Sequence, residues 1–266
     1  MVGWGDNMTN LICDMHVHTK FSCDSDVELE AYSIEAIEKG IHTICFTDHI
    51  DHNKNDYGYG YYDNNKFFND FLNVKEKYSA KLNILCGIEF SEPHIYQEKL
   101  FEYSKLPYDF ILGSVHYWYK DMFLSHMVRH GISVDICWKY YWNEVLLAVK
   151  EGGFDCLGHM DFPKRYYGKI IYDFEKISEI CIELVKKNIV LEINTSTLRK
   201  NITETMPNKE ILSIYKSCGG KHITIGSDSH KREELSADYS VAKDIIKHFD
   251  FEEIIFKQRR SCRPTV

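Results

Sequence analysis

Leu11-Ile12-Cys13-Asp14-Met15-His16-Val17-His18 decides how this chain is read: a short apolar run of strand character that stops on two imidazoles. The layout returns along the chain. Residues 42–47 run into Thr47-Asp48-His49, 82–88 into Glu89, 110–115 into His116, 154–158 into His159-Met160-Asp161, and 222–226 into Ser227-Asp228-Ser229-His230. Residues 189–194 form a further segment of the same kind. Between these runs lie stretches of helical period at 28–39, 138–151, 174–187, 209–217 and 233–249. Several end in glycine before the next strand: Gly40, the pair Gly152 and Gly153, and the pair Gly219 and Gly220.

Strands alternating with helices, and apolar almost throughout, predict parallel β/α units, either closed into a barrel or wound as an open sheet. An open sheet binds ligands at one switch point. Here nearly every strand end carries a candidate ligand, as around a barrel mouth, so the expectation is a barrel in which His16 and His230 share one pocket. Its members are His16, His18, Asp24, His49, Glu89, His116, His159, Asp228 and His230, a set that predicts a multinuclear metal site.

With 266 residues, 44% hydrophobic and 27% charged, the chain suits one folded domain spanning 1–266. A net charge of -8 argues against a nucleic-acid surface. The nine cysteines, an odd number without a Cys-x-x-Cys pair, do not form a disulfide framework and suit a reducing cytoplasm. Residues 1–10 lack the apolar core of a signal peptide, and no later stretch is long enough to span a membrane. The tail, 257–266, reads as a solvated or barrel-closing end rather than a basic arm, and oligomeric state has no signal in the sequence.

Residues two apart on a strand point the same way, so His16 and His18 can grip one ion together. The pairs His159 with Asp161 and Asp228 with His230 repeat the device. Glu89 follows an apolar run, and a carboxylate buried there needs a cation. Asp24, in Phe21-Ser22-Cys23-Asp24-Ser25, is either a ligand or a helix N-cap. Two longer insertions follow strand ends, residues 50–65 and 117–133, and are expected to shape the pocket. They supply the aromatics Tyr57, Tyr59, Tyr61, Tyr62, Tyr117 and Trp118 as substrate-contact or packing residues, and the second also holds His126, Arg129 and His130.

The ordered motifs His16-Val-His18, Thr47-Asp48-His49, Gly87-Ile-Glu89, His116, Gly158-His159-Met-Asp161 and Ser227-Asp228-Ser-His230 resemble the polymerase and histidinol phosphatase superfamily, called PHP. Asp24, Lys164-Arg165-Tyr166 and Glu192-Ile-Asn194-Thr-Ser196 followed by Leu198-Arg199-Lys200 look like its histidinol-phosphate phosphatase branch. The resemblance implies a distorted TIM-like (β/α)7 barrel, of α/β class, with three divalent ions of zinc, iron or manganese. By the same resemblance one ion would take His16, His18, Glu89 and Asp228, a second Glu89, His116 and His159, and a third Asp24, His49 and His230. It also implies a small-molecule substrate, L-histidinol phosphate, cleaved to L-histidinol and phosphate in histidine biosynthesis.

Such ions acidify a water and stabilise a leaving oxygen, so the expected reaction is in-line attack of a metal-bound hydroxide on a phosphate monoester. Arg165 and Arg199, each just past a strand, are placed to bind phosphate. Asp48, His52 and Asp161 are candidate proton donors or orienting groups. Alternative readings are a PHP phosphoesterase for a nucleotide or phosphotyrosine, a metal-dependent amidohydrolase, and a non-catalytic module. No Walker A motif, Gly-x-Gly-x-x-Gly or Gly-x-Ser-x-Gly is present.

Overall fold

In a computed structural model, which describes residues 11–118 and 122–265, eight strands form one parallel sheet in chain order. They are β1 (Cys13–Val17), β2 (Thr43–Ile50), β3 (Asn83–Ser91), β4 (Phe110–Ser114), β5 (Cys156–Leu157), β6 (Val190–Asn194), β7 (His222–Gly226) and β8 (Glu252–Glu253). All seven strand-like segments of the sequence lie in it. The eighth is a two-residue Glu-Glu pairing with no apolar run to announce it.

The sheet curls until β1 meets the chain leaving β7. Val17 bridges Ser229, the Asp228 N–H donates to His16 O at 2.8 Å, and the His18 N–H donates to Ser229 O at 2.9 Å. Helices α1 (Leu29–Glu38), α2 (Asn64–Tyr78), α3 (Gln97–Tyr103), α4 (Leu124–Arg129), α5 (Val134–Glu151), α6 (Lys164–Tyr167), α7 (Phe174–Lys187), α8 (Lys209–Ser217) and α9 (Tyr239–Phe249) occupy the connections. Side-chain caps start several of them: Ser133 accepts from Ile136 N, Asp173 from Lys176 N and Asn208 from Ile211 N. Among the described residues no helix is long and apolar enough to cross a membrane.

Strand alternation sorts the side chains into two cores. Ile44, Phe46, Ile84, Ile88, Ile111, Ile193 and Ile225 pack outward with helix residues such as Trp138, Trp142, Leu184 and Ile211. Inward, Cys45, Leu85, Phe110, Leu112, Cys156 and Val190 fill the lower interior, at about 2 kcal/mol for each large side chain removed from water. The C-terminal hairpin, Ile255–Lys257 against Arg260–Cys262, closes that end, with Phe256 stacked on Phe110 at 5.2 Å between ring centres. Arg259 there donates to Asp155 Oδ2 at 2.5 Å and to Gly153 O at 3.0 Å, so it serves as a strut.

Above the apolar floor the same inward register carries Thr47 then His49 on β2, Gly87 then Glu89 on β3, and Ser114 then His116 from β4. β1 reaches this arrangement differently. Leu11, Cys13 and Met15 belong to the inner core but Val17 to the outer one, because the register shifts between Asp14 and Val17. That irregularity turns His16 and His18 inward.

Candidate metal centre

All nine candidate ligands meet at the mouth formed by the C-terminal ends of the strands. Glu89, from β3, is fully buried and touches four other strand ends: His16 Nε2 at 3.3 Å, His49 Nδ1 at 3.0 Å, His116 Nε2 at 3.4 Å and His159 Nε2 at 2.8 Å. His16 Nε2 faces His18 Nε2 at 2.9 Å, and Asp228 Oδ1 lies 3.5 Å from His18 Nε2. At the outer edge Asp24 Oδ2 stands 3.1 Å from His230 Nε2 and 3.7 Å from His49 Nε2. Asp24 is not the cap of α1, which begins after Glu28 without a side-chain cap bond.

The donor set fits divalent ions. Among the described residues, His18/His49/His230, His16/His18/Asp228 and His49/Glu89/His116 each bring their ligand atoms within 4.8 Å of one another. Four histidines are tied at Nδ1 from behind, which aims Nε2 at the cluster: His16 to Glu192 Oε1 at 2.7 Å, His18 to Ser22 Oγ at 3.0 Å, His116 to Ser91 Oγ at 3.1 Å and His230 to Asp228 O at 3.1 Å. The electrostatics differ from one histidine to the next: burial alone would lower His16 and His49, but Glu192 and Glu89 hold His16, and Glu89 and Asp24 hold His49, well above the usual imidazole range. Burial, reinforced by neighbouring His230, His49 and His16, holds His18 well below the usual imidazole range and keeps a lone pair free. Burial alone would raise Glu89, but His49, His16 and His116 hold it well below the usual carboxylate range.

Backbone geometry is special at two of these positions, with φ of 21° at His159 and 53° at Asp228. Left-handed residues that are not glycine concentrate at functional sites, where surrounding bonds hold them in place.

The cluster opens into a cavity of about 860 Å³. Its lining includes the cations Arg165, Arg199, Lys200 and Lys231 as well as Asp51, Asp56, Tyr57 and Tyr117. Arg165 Nη2 contacts Asp228 Oδ2 and donates to Ser196 Oγ at 2.5 Å, while Arg199 Nη2 donates to Ser227 O at 2.6 Å. Each arginine also keeps a buried nitrogen without a hydrogen-bond partner among the described residues, Nε of Arg165 and Nη1 of Arg199. Two anchored guanidinium groups with N–H to spare have the chemistry to take an anion.

The three candidate proton carriers lie elsewhere than among the residues lining the cavity. Asp48 is fully buried and accepts from Thr19 N at 2.6 Å, Thr19 Oγ1 at 2.8 Å and Ser22 Oγ at 2.8 Å, and burial raises its carboxyl to about 6 against those bonds. Asp161 is buried beside Lys164 Nζ at 2.9 Å. The His52 ring packs among Phe90, Tyr96 and Tyr103, away from the cluster. Of the loop aromatics, Tyr57 and Tyr117 reach the cavity, with Phe123, His126 and Arg129 from the second insertion. Tyr62 packs on Phe67 and bonds Tyr108, and the side chain of Trp118 and residues 1–10 lie outside the described residues.

Sequence reasoning passed over Glu192 as an individual, although the argument used for Glu89, a carboxylate inside an apolar strand, applied to it equally. Lys200 was read only as part of the Leu198-Arg199-Lys200 motif, and Asp51, Asp56 and Lys231 had no comparable signal, since loop polar residues are common.

This geometry has a family. The PHP domain model matches residues 14–196, and the chain belongs to the PHP domain family. Among its relatives, a protein of Clostridium acetobutylicum named probable histidinol-phosphatase is 28% identical over 259 residues, covering 94% of this chain and 98% of that one. The histidinol-phosphatase of Lactococcus lactis is also 28% identical, covering 91% and 92%. The crystal structure of histidinol phosphate phosphatase from Lactococcus lactis, complexed with zinc, L-histidinol and phosphate, superposes with a TM-score of 0.77 at 26% identity, covering 95% of this chain and 99% of that one.

Proposed function

We propose that this chain is a single-domain, metal-dependent phosphomonoesterase that hydrolyses L-histidinol phosphate to L-histidinol and phosphate, on a distorted barrel of seven β/α units. The observation that carries the reading is the junction of the nine-donor cluster with two arginines that retain unpaired buried N–H groups, all opening on one cavity. The relatives and the zinc-, histidinol- and phosphate-bound structure support the same substrate. Nine unpaired thiols suit a reducing compartment, and we assign the reaction to the cytoplasm.

His16, His18, Glu89 and Asp228 would hold one ion, Glu89, His116 and His159 a second, and Asp24, His49 and His230 a third, of zinc, iron or manganese. When bound, such ions supply Lewis acidity, orienting the phosphoryl oxygens and activating water. Arg165 and Arg199 bind the remaining phosphoryl oxygens and offset charge that grows on them in the transition state. Asp51 and Asp56, which line the same cavity, face the ammonium and imidazole of the alcohol, with Tyr57 and Tyr117 offering aromatic surface.

Asp48 acts as an orienting group in this scheme: it holds Ser22 Oγ, which in turn sits 3.0 Å from His18 Nδ1. Asp48→Ala should therefore lower turnover of an alkyl phosphate and of a nitrophenyl ester alike. A much larger loss on the alkyl ester would restore it as the proton donor. The Glu89 carboxylate, within 3.4 Å of His16, His49, His116 and His159, takes the place where the amidohydrolase reading would need a bridging lysine.

The test is phosphate release from L-histidinol phosphate beside nucleotides and a phosphotyrosine peptide, after reconstitution with manganese, zinc or iron, with His16→Ala as control. Selective turnover of histidinol phosphate, lost in the control, is the expected outcome; turnover of another ester alone would retain the chemistry and replace the substrate.

A further inference from the structure

Glu192 stands behind the metal centre, fully buried on β6, and does not line the cavity. Its two oxygens receive three donors. Oε1 faces His16 Nδ1 at 2.7 Å, and Oε2 accepts from the His159 backbone N–H at 2.8 Å and from Asn194 Nδ2 at 3.2 Å. The carboxylate is confined between neighbouring strands: a Cβ on Gly226 would overlap Oε1 and stand 2.5 Å from His16 Cβ, and one on Gly158 would approach Oε2 to 3.4 Å.

Resting on the metal-site reading above, we propose that Glu192 is the positioning residue that fixes the tautomer of His16 and the backbone of His159, and so sets two ligands from different strands at once. Neutral imidazole carries one N–H. With that hydrogen on Nδ1, given to Glu192, the lone pair of Nε2 points at His18 Nε2, 2.9 Å away, and Glu89 Oε2, 3.3 Å away, where an ion would sit. His159, at φ of 21°, is held in its uncommon backbone conformation by the bond from its own N–H to Oε2.

The three-donor arrangement makes a carboxylate obligatory. A glutamine of the same shape has one acceptor end and one NH2 end. If the amide oxygen serves His159 N–H, the NH2 faces His16 Nδ1, which must then accept; the imidazole hydrogen moves to Nε2 and blocks the ligating lone pair. If the oxygen serves His16, the NH2 is pressed against His159 N–H and Asn194 Nδ2, and the His159 backbone loses its anchor. Both arrangements weaken metal binding without removing side-chain volume.

Glu192→Gln is compared with the wild-type chain in three measurements: thermal melting of the metal-free proteins, zinc affinity and stoichiometry by chelator competition, and histidine nitrogen NMR of the zinc-loaded forms. The expected result is a metal-free variant that still melts cooperatively, with zinc affinity lowered about 10- to 100-fold. In the wild-type zinc form the His16 Nδ1–H should exchange slowly with solvent, as a buried bonded proton does. Zinc binding by Glu192→Gln with wild-type affinity and stoichiometry overturns the proposal, as that result assigns Glu192 to packing alone. Should the variant fail to fold, the wild-type spectrum decides: a protected Nδ1–H on His16 supports the proposal, and hydrogen on Nε2 overturns it. Failure of the wild-type chain to bind zinc, iron or manganese would overturn the functional reading and this inference together, whereas unaltered binding by the variant overturns this inference only.

Discussion

Five imidazoles come within 3.4 Å of the Glu89 carboxylate, a density of like groups that only bound cations or protons can hold together. Glu89→Gln keeps the shape and removes the charge. We expect it to lose most bound metal, measured by plasma mass spectrometry, and more than about 100-fold in turnover, since even an outer partner of a metal ligand costs 10- to 100-fold. A variant that retains full metal would remove Glu89 from its bridging place. Arg199 tests the proposed phosphate site: one of its nitrogens is anchored on Ser227 O and Nη1 has no hydrogen-bond partner among the described residues. Arg199→Ala should reduce kcat/KM by about 100-fold, as loss of a charge-stabilising donor does, and Arg199→Lys should recover only part because it lacks the fork. Steady-state rates equal to wild type in both variants would place the phosphate elsewhere.

At the level of elements, two substitutions separate the floor of the sheet from its mouth. Phe256, on the closing hairpin, stacks on Phe110 far from any candidate ligand, so Phe256→Ala should cost about 3–5 kcal/mol. Melting should fall by roughly 6–20 °C for a chain of this size, with metal content unchanged. Gly226 ends β7 where Glu192 and His16 occupy the space a Cβ would need. Gly226→Ala should cost about 1–3 kcal/mol by overpacking and, unlike the hairpin variant, should also reduce bound metal. Calorimetry with metal analysis on the same samples distinguishes the two, and normal metal content in Gly226→Ala would mean that the strand end yields without disturbing its ligands.

For the whole molecule the metal centre should act as a clasp. Its donors come from six strand ends and from the loop after β1, so ions bound there join residues 16 to 230 across the curl of the sheet. Ligands present at a thousandfold excess over Kd stabilise a fold by about 4 kcal/mol per site. Removing metal with a chelator should therefore lower melting by roughly 8–16 °C for one tight site, and adding metal back should restore it. A melting point indifferent to chelation would mean that the hydrogen bonds between β1 and the chain after β7 close the sheet unaided.

The strands, their parallel arrangement and the nine candidate ligands were legible in the chain itself because apolar period and chemical type are local properties, and all of those candidates but Asp24 sit at or just beyond the C-terminal end of a strand. Glu89 was legible for the same reason, and Glu192 was too, though it was read only as part of a motif. What residue order could not decide was orientation and partnership. The register shift between Asp14 and Val17 turns His16 and His18 inward, against the alternation begun by Leu11, Cys13 and Met15, and a bulge is set by pairing with neighbouring strands. His52 follows the second strand in sequence as closely as a ligand would, yet its ring packs among Phe90, Tyr96 and Tyr103. The sequence by itself determined the alternation of strand and helix and the chemical kind of the site. Tertiary structure alone decided which polar side chains face one another, because hydrogen bonds and charge contacts depend on distances of about 3 Å between residues that can be 176 positions apart, as His16 and Glu192 are.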